Sequence, residues 1–208
     1  MIHPVFLHGL GQTASSWQDV LPVLGGADVL CPSLFQLPAE GPLEYPALYQ
    51  ALCAYLDEIP GQLFLCGLSL GGVLALDYAV AHPSRLACLA LIGTPYVIPK
   101  RLLSLQNAIF RLMPAKAFLS TGLPKADMIR LTSSMASLDF RQQLGEVSCP
   151  VLAVCGERDR ANLRSAKELA RLLPNGRLRV VPKAGHEVNV QAPEVLGKIL
   201  REFLNQNS

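Results

Sequence analysis

Apolar residues gather in six short runs along this chain, at about 2–7, 27–31, 62–66, 86–92, 150–155 and 177–182. Runs of this length and continuity suit strands covered on both faces. Between them the apolar positions fall at helical spacing, over 15–24, 45–58, 70–81, 161–173 and 193–205. The punctuation agrees: Pro46 and Pro193 suit first helical turns, and Pro60 and Pro83 follow helix ends. Pro174-Asn175-Gly176 stops the helix that carries Leu169, Leu172 and Leu173. Strands alternating with helices imply right-handed crossovers, hence an α/β fold with a mostly parallel six-stranded sheet and helices on both faces.

Residues 96–148 break the alternation. Leu102, Leu103, Leu105, Ile109, Phe110, Leu112 and Met113 stand at mixed helical spacing, and Pro114 and Gly122-Leu123-Pro124 act as breakers. The expectation is a single domain over 1–208, with a core of 1–95 and 149–208 and a short helical cap inserted at about 96–148. The uncharged stretch from Ile59 to Leu76 is long enough to span a bilayer. Pro60-Gly61-Gln62 at its start and Gly67, Ser69, Gly71 and Gly72 in its middle divide it into a buried strand and a helix start, so no membrane span is expected.

Composition narrows the class. Half of the 208 residues are hydrophobic and only 16% are charged, which fits a doubly covered sheet and excludes a disordered chain. None of the six cysteines forms a C-x-x-C pair, and four sit in or beside strand-like runs, so a reduced, cytoplasmic protein is expected. No charged segment precedes an apolar stretch at the start in the manner of a signal peptide.

The charge is uneven. The first 84 residues hold seven acids and no lysine or arginine, although the whole chain is +2; residues 96–148 hold seven basic residues against three acids. Early and late elements are expected on opposite flanks of the sheet, one acidic and one basic. A solvated surface explains that polarity; steering of an anionic substrate is the sharper reading. The basic residues are not interleaved with aromatics, and no phosphate-binding or dinucleotide glycine loop occurs, so nucleic acid is not expected as a partner. No His, Cys and Asp cluster has metal spacing.

The chemistry concentrates at Gly67-Leu68-Ser69-Leu70-Gly71, a G-x-S-x-G pentapeptide between the run 63–66 and the helical run 73–79. Such a strand-to-helix bend leaves a serine Oγ exposed at a strand's C-terminal end. Downstream, the run at 151–155 leads into Gly156-Glu157-Arg158-Asp159, and the run at 178–181 leads through Pro182-Lys183-Ala184-Gly185 to His186. A serine, an acid and a histidine thus each follow a strand, in the order Ser…Asp…His. Serine needs a base to become nucleophilic, and the base needs an orienting carboxylate. Asp159 equally suits the N-cap of the following helix, and Glu157 is a neighbouring carboxylate.

With His8-Gly9 after the first strand, these motifs make nearly the whole chain resemble the α/β-hydrolases, particularly small capped esterase-like members. One departure is that the His-Gly strand starts at the second residue, without the hairpin that commonly precedes it. The resemblance implies Ser69 as nucleophile, His186 as general base, Asp159 as its partner, and the backbone N–H groups of Leu10 and Leu70 as the oxyanion hole. It implies a structural role for His8, and no cofactor or metal. The expected substrate is a small-molecule ester or thioester, cleaved through an acyl-enzyme. The same fold supports carbon–carbon bond hydrolases, menaquinone-pathway lyases and non-hydrolytic ligand-binding members, and these alternatives stay open. His3 and His82 read as surface or loop residues, and Trp17 as core or pocket wall.

Overall fold

In the computed structural model, which describes residues 1–25 and 28–207 apart from the side chains at 101, 102, 119 and 120, five strands form one parallel sheet. They are β1 (Ile2–Leu7), β2 (Gln62–Leu68), β3 (Leu86–Ile92), β4 (Val151–Gly156) and β5 (Gly176–Val181), in spatial as well as chain order. The register sets Leu7 against Gly67, Leu68 against Ile92, Ile92 against Val154 and Gly156 against Val181. All five C-terminal ends therefore open on one edge, where ligands bind in sheets of this kind.

Of the sixth expected strand, 27–31, the described residues 28–31 form no strand. Residue 27 lies outside the described residues, and of the remainder only Leu30 pairs, in a parallel bridge to Val5. The Phe6 N–H donates to the Leu30 carbonyl at 2.8 Å and the Leu30 N–H to the Pro4 carbonyl at 2.9 Å. Pro32 follows at once and has no N–H to continue a ladder. The expected helix at 15–24 also divides, into a 3-10 turn at Ala14–Trp17 and α1 at Leu21–Leu24. Pro22 cannot donate within a continuous helix, but is tolerated in the first turn of a new one.

The other core helices match their sequence patterns closely: α2 (Tyr45–Asp57) and α3 (Leu70–Ala81). Next come α4 (Lys100–Leu112) and α5 (Lys125–Ser134), both between β3 and β4. The chain then adds α6 (Arg160–Leu172), a short α7 (Val188–Gln191) and α8 (Pro193–Asn205). Alternate strand residues feed two cores. On one face Val5, Leu7, Leu63, Leu65, Leu89, Leu91 and Ala153 meet α2, α3 and α6; on the other Phe6, Phe64, Cys66, Cys88, Ala90 and Val154 meet α1 and α8. The alternation is the two-residue period of a strand, and Leu48, Leu52 and Leu56 of α2 are spaced to fill the first core. Each fully buried leucine contributes roughly 1.5–3 kcal/mol.

Trp17 belongs to the second core, fully buried with its ring 5.1 Å from that of Phe6. The first cation of the chain, Arg85, donates to the Leu56 and Ile59 carbonyls and so closes the C-terminal end of α2. Between β3 and β4, Phe118, Leu123, Met128, Leu131, Phe140 and Leu144 are buried and join the first core. Early and late parts of the chain are not kept apart, because α8, which carries Lys198 and Arg201, packs against α1. All six cysteines are free. Among the described residues no helix is long and apolar enough to cross a membrane.

Candidate active site

Ser69 stands at the N-cap position of α3 with φ 53° and ψ −112°, a backbone conformation that side-chain-bearing residues rarely adopt. The bend is held from both sides. The Ser69 N–H donates to the Ile92 carbonyl at 2.9 Å, and the Ser69 carbonyl accepts from Val73 at 2.9 Å. A Cβ on Gly67 would overlap the Gly71 carbonyl, and one on Gly71 would overlap the Leu7 carbonyl, so both glycines are required by close approach of backbone.

Asp159 and His186 come together from the ends of β4 and β5. The turn after β4 is pinned by N–H donation from Glu157 to the Val181 carbonyl, from Arg158 to the Ala184 carbonyl and from Asp159 to the Gly156 carbonyl. It brings Oδ2 of Asp159 to 2.7 Å from Nδ1 of His186. An ionised carboxylate only accepts, so the proton of that bond sits on Nδ1, and in the neutral ring Nε2 carries the lone pair. Asp159 also caps α6, accepting from the Asn162 N–H at 3.3 Å. One side chain thus both meets the His186 ring and caps α6. Burial by itself raises the Asp159 carboxyl, but hydrogen bonds from His186 and Asn162 outweigh it and hold the group below the ordinary carboxylate range. Glu157 is turned away, accepting from the Lys183 N–H at 2.9 Å.

Ser69, Asp159 and His186 line one cavity of about 790 Å³. Among the described residues Ser69 makes no hydrogen bond to either partner. Pro95, Val97, Ile98, Pro99 and Leu103, from the end of β3 and the start of α4, form its apolar wall. Among the described residues its one lysine or arginine is Arg164 of α6, whose Nε donates to Glu168 at 2.9 Å while Tyr96 donates to the other oxygen of Glu168 at 2.8 Å. None of the basic residues of 96–148 lines the cavity among the described residues.

The loop after β1 turns at Gly9–Gln12, where the Gln12 N–H donates to the Gly9 carbonyl at 3.2 Å and Gly11 takes φ 80°. The hydrogen bond that closes such a turn does not use the N–H of its second residue, Leu10. Leu70, first residue of α3, likewise has an amide without an intrahelical acceptor. Gly9 packs close to Ser69: a Cβ there would stand 3.6 Å from the Ser69 Cβ. His8 is buried, with Nε2 accepting from the Leu34 N–H at 3.1 Å and Nδ1 donating to the Gly9 carbonyl at 3.0 Å. Both ring nitrogens are occupied, and burial pushes its pKa down.

Sequence reasoning missed three further residues here. Asn162 donates from Nδ2 to both Asp159 oxygens, at 3.1 and 3.0 Å. Gly93, at φ 53°, is where a Cβ would lie 3.0 Å from Nδ1 of His186 and 3.3 Å from Oδ2 of Asp159. Arg164 was hidden among other basic residues. Only Gly93, directly after an apolar run, carries a sequence signal.

The model of the Alpha/beta hydrolase family matches residues 5–198. A pimeloyl-[acyl-carrier protein] methyl ester esterase of Aromatoleum aromaticum is 30% identical over 245 aligned positions, covering 96% of this chain and 97% of that protein. A putative 2-succinyl-6-hydroxy-2,4-cyclohexadiene-1-carboxylate synthase of Bacillus subtilis is 28% identical over 247 positions, covering 96% of this chain and 89% of that one. Both alignments are longer than the chain itself, so these relatives carry residues that it lacks. A hydrolase from Pseudomonas aeruginosa PA01 superposes with a TM-score of 0.83 at 21% identity, over 97% of this chain and 89% of that one.

Proposed function

The chain belongs to the alpha/beta hydrolase family, and on that footing we propose that it is a serine carboxylesterase acting on a small-molecule ester or thioester. One observation carries the reading: a serine on a strained strand-to-helix bend opens into the same cavity as a histidine whose Nδ1 is 2.7 Å from a buried carboxylate. The similarity to a methyl ester esterase supports it.

In this reading Ser69 Oγ attacks the carbonyl carbon while His186 Nε2 takes its proton. Asp159 keeps the imidazole in the Nδ1–H tautomer and stabilises its cation, without taking the proton itself. The tetrahedral oxyanion accepts from the Leu10 and Leu70 N–H groups, at the positive end of α3. Collapse expels the alcohol or thiol with the proton from His186, leaving an acyl-Ser69. Water, deprotonated by His186, releases the acid and restores the serine. The apolar wall from Pro95 to Leu103 takes an uncharged acyl chain, and Arg164 meets an anionic group further out. No cofactor enters this cycle. The six free thiols support a reducing compartment, the cytoplasm, as part of this reading.

The similarity to the Bacillus subtilis protein favours a second reading, a lyase on the same site. Purified chain, short p-nitrophenyl esters and a fluorophosphonate probe test both. The esterase reading requires ester turnover and probe labelling, both lost in Ser69→Ala. Equal activity in that variant would refute it, and labelling without any ester or thioester turnover would favour the lyase.

A further inference from the structure

Gln12 and Asn189 are among the few buried polar side chains, at 5% and 0% exposure. One follows the turn that carries the Leu10 amide; the other stands three residues after His186. Gln12 Nε2 donates to Asn189 Oδ1 at 3.2 Å, and Asn189 Nδ2 donates back to Gln12 Oε1 at 3.1 Å, closing a reciprocal amide pair. The second Nε2 hydrogen of Gln12 goes to Glu187 at 3.2 Å, and its Oε1 also accepts from the Gly9 N–H at 3.4 Å. The second Nδ2 hydrogen of Asn189 goes to the Ser16 carbonyl at 3.0 Å.

The donor and acceptor capacity of Gln12 is thus filled. Buried amides add little net stability even when satisfied, because water would satisfy them equally well in the unfolded chain. What they add is geometry: a saturated pair in a low-dielectric interior tolerates one arrangement, and a partly satisfied one is costly. This pair spans the two loops whose separation the reaction must control. On one side is the turn 9–12, braced at its first amide by the Gln12 side chain and at its first carbonyl by the Gln12 N–H. On the other is α7, which begins two residues after His186 and is tied to it by donation from the Val188 N–H to the His186 carbonyl at 3.0 Å.

We propose that Gln12 and Asn189 are positioning residues, a buried amide clasp that fixes the Leu10 oxyanion donor relative to the general base His186. The inference rests on the serine-hydrolase reading above. Neither residue is among those that line the cavity holding Ser69. Opening the clasp lets the Leu10 amide drift from the place the oxyanion occupies, so transition-state stabilisation falls while ground-state binding in the apolar cavity does not.

The test compares wild type with Gln12→Met, Asn189→Leu and the double variant, whose apolar replacements are close in size. Turnover of a short p-nitrophenyl ester, the inhibition constant of phenylboronic acid, fluorophosphonate labelling and the thermal midpoint are measured on each. Each single variant should lower kcat about 10- to 100-fold, the scale of a misplacement near 1 Å. KM should stay within about twofold. Boronate affinity should weaken in parallel with kcat. The double variant should be no slower than the slower single, since releasing one end already opens the clasp. If Asn189→Leu fails to fold, Gln12→Asn, which keeps the amide but shortens it, is expected to show the same split between kcat and KM. Folded variants with kcat and boronate affinity within twofold of wild type, or losses that multiply in the double variant, overturn the clasp. A wild-type chain that neither turns over ester nor labels overturns the hydrolase reading and the clasp with it, whereas labelling at equal rates in wild type and variants overturns the clasp alone.

Discussion

Oδ2 of Asp159 lies 2.7 Å from Nδ1 of His186, although the two residues come from loops that follow different strands. Asp159 is 6% exposed, its carboxylate is held in place by Asn162, and one oxygen points at the ring. A pair so arranged keeps one imidazole tautomer and leaves Nε2 able to accept a proton.

Asp159→Asn should therefore lower kcat by about 10³- to 10⁴-fold, because an amide can hold the ring in the wrong tautomer. KM for a short ester should change little. Steady-state kinetics on the folded variant checks this. The pH dependence has a definite sign: since the Asp159 carboxyl is held below its ordinary value of 3.8, it is ionised through the neutral range. The stability it contributes is complete above that ordinary value and is lost only as pH falls through the lower, folded-state pKa. The stability gap between wild type and Asp159→Asn should accordingly be flat from pH 7 to 5.

Gly93→Ala should damage this pair without touching its chemistry. The position has φ 53°, which costs a side-chain-bearing residue about 1–2 kcal/mol. The new methyl would also press on Nδ1 of His186 at 3.0 Å. Loss of activity larger than the loss of stability, read from kcat and urea unfolding together, is the expected outcome.

His8 predicts an acid-sensitive fold. Burial lowers its pKa from 6.5, so below that value the unfolded chain binds a proton that the folded chain resists. Stability should fall as pH drops from about 6.5 towards the folded-state pKa. His8→Leu removes this dependence but leaves the buried Leu34 N–H without its acceptor, at about 1–3 kcal/mol. Urea unfolding at pH 7.5 should show the variant clearly weaker, and the gap should narrow at pH 5.5.

Arg164 should set a preference for anionic esters. Arg164 lines the cavity that holds Ser69, and Glu168 accepts from its Nε. Arg164→Gln is expected to lower kcat/KM for a monoester of a dicarboxylic acid severalfold and to leave that for a neutral ester of equal length unchanged. Raising the salt concentration should reduce the wild-type preference, because the side chain is exposed and screened.

The amino-acid pattern by itself determined what depends on neighbours in the chain. The bounds of α3 and α8 coincide with the periodic runs at 70–81 and 193–205, because helical spacing and first-turn or terminal prolines are local signals. The bend at Ser69 was equally legible, since two glycines flanking a serine between a strand and a helix leave few other conformations. The order of serine, acid and histidine could be read because each follows its own strand. Only the tertiary structure decided what depends on register and approach between distant segments. It left one bridge through Leu30 in 28–31, set Gly93 against the His186 ring, turned Glu157 away, and brought Arg164 to the cavity wall. It also joined Gln12 to Asn189, which no spacing announces. An amide or a guanidinium has no periodicity of its own, and its role is set by whatever the folded sheet brings within about 3 Å of it.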